Sequence, residues 1–405
     1  MSQQSLRVAA IAVAALLYVG AGCTRREPDD PRRPVVATYA DIVLATYEDT
    51  LSAAKSLDAA VDALLAQPSE RTLVDARAKW QASRIPYSYS EAFRFYAGPI
   101  DGEGGPEGQI NGWPLDENHI DAVRVDRYNA SPGLDIVGNA KEFPQITPEL
   151  IAAQNEAGGE KNIASGYHAI EFLLWGQDLN DPPDAAGQRP YTDFVSDGKP
   201  DNVNARRGQY LKAATQLLIQ DLEGLVNAWR KPPPGSDNYR SLLVNGDVYT
   251  GLKRMFTGIA TLAEVEMASE RLNVPLLSGD QEEEQSCFSD TTAADLRNDG
   301  LGMEHVYFAR YTRTDGSVVS GPSLAQLVKE KDPRVAQEME LRLTRTREAL
   351  TDIHDPFDRE IQPDNQAGNA RIQAAIDSLR VQTQTVTRTA RALDIFLSPI
   401  ESEGD

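Results

Sequence analysis

Cysteine is almost absent. The 405 residues contain two, Cys23 and Cys287, and no CxxC pair, which excludes thiolate zinc sites and dithiol redox chemistry. Histidine is nearly as scarce: His119, His168, His305 and His354 are the full set, so a histidine-rich zinc centre would need nearly all of them. The HExxH helix of zinc proteases, the P-loop and the Gly-rich dinucleotide fingerprint are all missing. Positive charge is in deficit, with 40 Lys and Arg against 61 Asp and Glu and a formal net charge of −21. Such a surface repels nucleic acid and anionic headgroups, and neither is expected as a partner. The apolar run from Val8 to Val19 is too short to span a membrane as a mature helix.

That run is a targeting segment. Arg7 precedes it, and Gly20-Ala21-Gly22-Cys23 follows, which is similar to a bacterial lipoprotein signal whose cysteine is lipidated; Gly20 stands where Leu is usual. Residues 1–23 therefore read as a signal peptide ending at a lipidated Cys23, and residues 24–34 as a charged, Pro-rich tether. The protein is expected to be exported, as a periplasm-facing or outer-membrane-associated lipoprotein that meets the membrane through its lipid alone. With Cys23 modified, Cys287 has no partner, and the fold holds without disulfides.

The rest of the chain reads as helices separated by long polar loops. Hydrophobic residues make up 41% of it, enough for a core. Leu57, Val61 and Leu64 form a stripe in a first helix over about 35–65. Ser69 can cap a second, about 70–95, with a kink or break at Pro86. Residues 97–145 lack periodicity. Thr147-Pro148-Glu149 is a helix start. After a Pro/Gly/Asp-rich connection over 177–203, one helix places Leu211, Leu218, Leu222, Leu225 and Trp229 on a stripe. Another, about 247–272, does so with Val248, Leu252, Met255, Ile259 and Leu262, and its next core position falls on Glu266. Residues 279–322 read as irregular: the Glu282–Glu284 run is expected to be solvated, and the segments around Asp315-Gly316 can close a small β-hairpin. Ser323 with Gln326 is a capping-box start, and two helices follow at about 334–351 and 366–397. The expectation is an all-α protein of two four-helix-bundle-like halves with long irregular loops, residues 35–190 and 191–400.

The chemistry concentrates at Gly166-Tyr167-His168-Ala169-Ile170-Glu171-Phe172-Leu173-Leu174-Trp175-Gly176. This helix, over about 162–176, is apolar on every side and belongs in a core. Yet it carries His168 and Glu171 three residues apart, side by side on one face. A buried carboxylate needs a partner: a metal ion, an arginine or a bound ligand. The pair can supply two ligands to one cation, or form a core hydrogen bond with no ligand. Glu264, Glu266, Glu270 and Arg271 offer either further carboxylate ligands or a helix-end salt bridge. Glu91, Arg94 and the loop acids Asp101, Asp116 and Glu117 offer similar alternatives.

Taken in order, these residues resemble the imelysin-like family. Its GxHxxE element is present as Gly166, His168 and Glu171. Pro86-Tyr87, Ser90-Glu91, Phe93-Arg94-Phe95 and Gly98-Pro99-Ile100-Asp101 are similar to its second helix and exit. Trp113-Pro114-Leu115-Asp116-Glu117 resembles its first long loop, and Arg189-Pro190-Tyr191-Thr192-Asp193-Phe194 the segment after the motif helix. The segment from Thr257-Gly258 to Glu270-Arg271 is similar to its long helix, and Ser286-Cys287-Phe288-Ser289-Asp290 to its second loop. Ser320 to Leu324 and Pro356-Phe357-Asp358 continue the likeness, which covers roughly residues 35 to 397.

The resemblance implies an exported, all-helical protein. Members include insulin-cleaving metallopeptidases and proteins linked to iron regulation or uptake. Many members carry a His where this chain has Gln285, which favours carboxylate ligands here. The site expected is therefore His168 and Glu171 with Glu91, Glu266 and Glu270 as ligands between the two halves, supported by Arg94, Asp116 and Asp290. It would hold a divalent or ferric ion, iron before zinc, or a metal complex, with other envelope iron-uptake proteins as partners. A metal-dependent peptidase with Glu171 as base is the alternative, and a scaffold with a vestigial site the third reading.

Overall fold

The helices begin where the side chains dictate. The computed structural model describes residues 30–124, 135–180, 183, 185–199 and 201–399; the signal peptide expected over 1–23, its Cys23 and most of the tether lie outside them. Ser69 accepts from the Thr72 N–H, and Thr72 Oγ1 accepts from the Ser69 N–H, closing a capping box for Glu70–Tyr89. Thr147 caps Pro148–Gln154, and Ser323 with Gln326 boxes the start of Leu324–Lys331. Such caps satisfy first-turn N–H groups that have no helical acceptor.

The architecture is all-α, as predicted. Among the described residues the one sheet is the expected hairpin, β1 (Arg310–Thr312) antiparallel to β2 (Val318–Ser320), with Tyr311 opposite Val319. The described residues from Arg32 on form one compact unit. The first helix, Arg33–Ala66, packs along Glu70–Tyr89 and Val203–Trp229, and the motif helix Gly166–Trp175 packs on the latter two. Val203–Trp229 thus packs mainly on helices that precede residue 190. In the later part, Gln366–Ala392 packs on Pro333–Thr351 and on the helix that starts at Val248. No described helix is long and apolar enough to cross a membrane.

Three segments depart from expectation. The second helix runs through Pro86 to Tyr89, then tightens into a 3-10 turn, Ser90–Phe93, rather than continuing to residue 95. Beyond it, Asp101 accepts from the backbone N–H groups of Phe95, Tyr96 and Gly98 and fixes the exit.

The long helix is α-helical only over Val248–Thr261. Leu262–Asn273 winds as a π-helix before Val274–Ser278 resumes the α form. The wider winding adds a residue per turn. Met267 and Ala268 therefore take the core position that α spacing assigned to Glu266, and Glu266 moves to the edge of the core.

Residues 292–308, read as irregular, form a helix, Thr292–Phe308. Its buried face carries Asp295, Asp299, Gly300 and Gly302 where apolar residues were sought. The glycines permit close packing: a Cβ on Gly302 would overlap the Tyr89 carbonyl, and one on Gly300 would lie 2.8 Å from Leu350 Cδ1.

Candidate functional site

Gly166 explains why the motif starts with glycine. Its φ is +81°, and a Cβ there would overlap the Ile110 carbonyl, so only glycine fits without strain. Gly176, at φ +73°, ends the helix. All residues from Gly166 to Trp175 are buried. Trp80 Nε1 donates to the Tyr167 carbonyl at 2.9 Å, and Arg77 donates to the Leu174 carbonyl from two nitrogens. The rotation of the helix, and with it the direction of His168, is thereby fixed.

His168 Nδ1 lies 2.9 Å from Glu171 Oε2, with both side chains at 0% exposure. Glu171 Oε1 accepts from the Ser289 N–H at 2.9 Å and the Ser289 hydroxyl at 2.6 Å. Both carboxyl oxygens thus meet protein groups. Burial pushes the Glu171 pKa up to about 8, against the pull of Ser289 and Arg84. Burial also holds His168 well below its ordinary range, and Arg84 and Arg271 push the same way, so the ring is neutral. His168 Nε2 is buried and has no hydrogen-bond partner among the described residues. A buried imidazole held through one nitrogen by a carboxylate, with the other nitrogen unengaged, is the usual setting of a metal-ligating histidine.

The predicted carboxylates are largely committed to guanidiniums. Glu91 Oε2 accepts from Arg94 Nη1 at 2.8 Å and Arg271 Nη2 at 2.5 Å. Burial alone would raise the Glu91 carboxyl, but Arg94 and Arg271 outweigh it and hold the pKa at about 2. Glu266 accepts from Arg271 at 3.0 Å and faces Arg94 at 3.8 Å. Glu270 is half-exposed, one residue before Arg271. Asp116 caps the short helix Glu117–Ile120 by accepting from the Asn118 N–H. Asp290 gathers with Asp178 and Asp358. Of the predicted set, the structure directly bonds His168 to Glu171, and separately joins Glu91 to Arg94 directly and to Glu266 through Arg271.

Other participants escaped the sequence reading. Arg84 donates to Asp295 Oδ2 at 2.8 Å and to Asn111 at 2.6 Å, and Asp295 also accepts from Ser286 and Ser88. Arg271 Nη1 donates to Asp299 at 2.8 Å. The carboxyls of Glu91, Glu107, Glu266, Asp295 and Asp299 outnumber the guanidiniums of Arg84, Arg94 and Arg271. Burial raises Glu107 and Asp299 above their ordinary range. Around Glu91 several buried polar atoms lack a partner among the described residues: its own Oε1, Arg94 Nε, and the hydroxyls of Tyr47 and Tyr87. Both hydroxyls feel the Glu91 charge. Paired arginines and aspartates at wide sequence spacing leave no local motif, so only the isolated Asp residues in an otherwise helical stretch could have signalled them.

The remaining histidines are engaged elsewhere. His119 meets the Gln154 carbonyl at 3.0 Å, His305 packs edge-on against Tyr89 and Tyr311, and His354 is exposed beside Glu360.

Comparison with known proteins agrees with the motifs. The family model for imelysin matches residues 43–386. The chain is 25% identical over 358 residues to iron-regulated protein A of Synechococcus elongatus, which covers 86% of this chain and 82% of that protein. A crystal structure described as an iron-regulated protein A precursor from Parabacteroides distasonis shares the fold at TM-score 0.67 and 20% identity, over 91% of this chain and 97% of that one. An imelysin-like protein from Psychrobacter arcticum does so at TM-score 0.62 and 15% identity, over 91% and 99%. With a family match across most of its length, and GxHxxE at the centre of the core, the chain belongs to the imelysin family.

Proposed function

We propose that this protein serves iron handling at the cell envelope by holding a metal ion beside the motif helix. The observation that carries the reading is the set of unpartnered, fully buried acceptors on two chain segments: His168 Nε2 and Glu91 Oε1. Arg84 and Arg271 act electrostatically on both residues. Buried polar atoms without partners are rare in native proteins and commonly mark a bound water or ion. A cation at His168 Nε2 would favour ionisation of Glu171, which would then accept the Nδ1 proton and leave Nε2 as the bare ligand. Glu91 Oε1 would add an oxygen, and the excess of buried carboxyls would offset the positive charge. A mixed nitrogen and oxygen donor set suits iron and zinc. The iron-regulated names of the relatives favour iron.

In this reading Glu171 orients His168. It is not the base of a peptidase, because both its oxygens already face protein donors. The test is metal content and calorimetric titration with ferrous, ferric and zinc ions for wild type, His168→Ala and Glu91→Gln. Stoichiometric binding by wild type, lost in His168→Ala and weakened tenfold or more in Glu91→Gln, supports the reading. Equal binding by all three sinks it, and metal-dependent peptide hydrolysis would restore the peptidase alternative.

A further inference from the structure

A second group of acids lies across three connections between the helices. Asp178 follows the motif helix, Asp290 closes the second loop, and Asp358 sits in the short helix Phe357–Glu360. One oxygen from each lies within 4.8 Å of the other two. Asp178 and Asp358 are buried, and Asp290 is half-buried. A fourth carboxylate, Glu284, belongs to the run that sequence alone assigns to solvent. Instead it is at 0% exposure, and neither of its oxygens has a hydrogen-bond partner among the described residues. The charges acting on it are carboxylates, Asp358 and Asp290 first, then Glu171 and Asp178. Its carboxyl group therefore lies close enough to the trio to feel all three charges.

We propose that Asp178, Asp290, Asp358 and Glu284 form an all-oxygen site for a hard divalent cation, with calcium as its fitting occupant, distinct from the site at His168. Burial of a carboxylate with no donor is costly unless a proton or a cation compensates it, and a cation among these acids would displace the proton that burial holds on Glu284. Four carboxylates with no nitrogen or sulfur donor select hard ions over iron(II) or zinc. Calcium tolerates the irregular, many-oxygen coordination that loops provide, whereas magnesium demands a strict octahedron. The ion would tie the motif-helix exit, the second loop and the Phe357–Glu360 turn together. Because Ser289 precedes Asp290 and bonds Glu171, the same ion would fix the loop that holds the motif pair.

The test uses the full chain, stripped with chelator and titrated calorimetrically with calcium chloride, then with magnesium chloride. One saturable calcium site is expected, filled below about 1 mM, with magnesium at least tenfold weaker. Calcium should raise the melting temperature of the stripped protein. Glu284→Gln, which removes a buried charge and keeps the shape, should fold, lose most of that rise and bind calcium at least tenfold more weakly. Asp358→Asn should do the same. His168→Ala should retain a saturable calcium site, whether or not the iron reading survives. No saturable heat and no thermal shift at about 10 mM calcium would overturn the proposal. So would unchanged calcium binding in Glu284→Gln, or loss of calcium binding in His168→Ala.

Discussion

Ser289 donates to a single oxygen of Glu171 twice, from its backbone N–H at 2.9 Å and its hydroxyl at 2.6 Å, across 118 residues of sequence. The contact pins the second loop to the motif helix. It also sets how the Glu171 carboxyl titrates, since burial raises it and Ser289 pulls it back.

The pH dependence follows from that carboxyl. Its folded pKa of about 8 lies above the unfolded value of 4.5. The folded protein then binds more protons between those values, so stability of the metal-free protein falls as pH rises from about 4.5 through 8. The displacement corresponds to on the order of 5 kcal/mol at full ionisation. Glu171→Gln should flatten this slope, to which Glu107 and Asp299 also contribute, and be more stable than wild type at pH 9. Denaturant midpoints at pH 5 and pH 9 check it; parallel profiles for the two proteins would contradict the assignment.

Arg271 joins Glu91, Glu266 and Asp299 in one buried network. Arg271→Met should cost about 3–5 kcal/mol, because it strands buried carboxylates. Adding Glu91→Gln should recover part of that loss. A double-mutant cycle in urea measures the coupling, and purely additive losses would show that the ion pair contributes nothing specific.

Gly166→Ala places a Cβ against the Ile110 carbonyl at a positive φ. A loss of at least about 2 kcal/mol is expected, beyond the ordinary glycine-to-alanine effect. Gly224 is the control: it lies inside the helix Val203–Trp229 with nothing near its absent Cβ. Gly224→Ala should stabilise by roughly 0.5–1 kcal/mol. Thermal melts of the two variants should move in opposite directions.

Much of the helical plan was legible because it rests on local rules. Ser69, Thr147 and Ser323 announced their helices. The stripes Leu57-Val61-Leu64 and Leu211-Leu218-Leu222 announced which faces are buried. The motif helix was legible through its lack of any polar face. Thr292–Phe308 was hidden because close packing against Tyr89 replaced bulk with Gly302, and ion pairing placed Asp295 and Asp299 on the buried face. Glu266 was misplaced because a π segment cannot be seen in a pattern counted at α spacing. Glu282 and Glu284 looked solvated because a charge run carries no mark of burial, although both are buried.

The ion pairs of the core also impose an order in time. Arg84 waits for Asp295, 211 residues later; Glu91 waits for Arg271, 180 residues later; Asp49 waits for Arg313, 264 residues later. A chain emerging from its N-terminus cannot complete these long-range pairs until between two-thirds and just over three-quarters of it has been made. Its early helices hold charges that are costly to bury without these later partners, which delays their collapse until the later segments arrive. A fragment ending at Trp229 is accordingly expected to be cleaved rapidly by protease where the full chain resists, and a protease-resistant fragment would show that the early helices need no later partner.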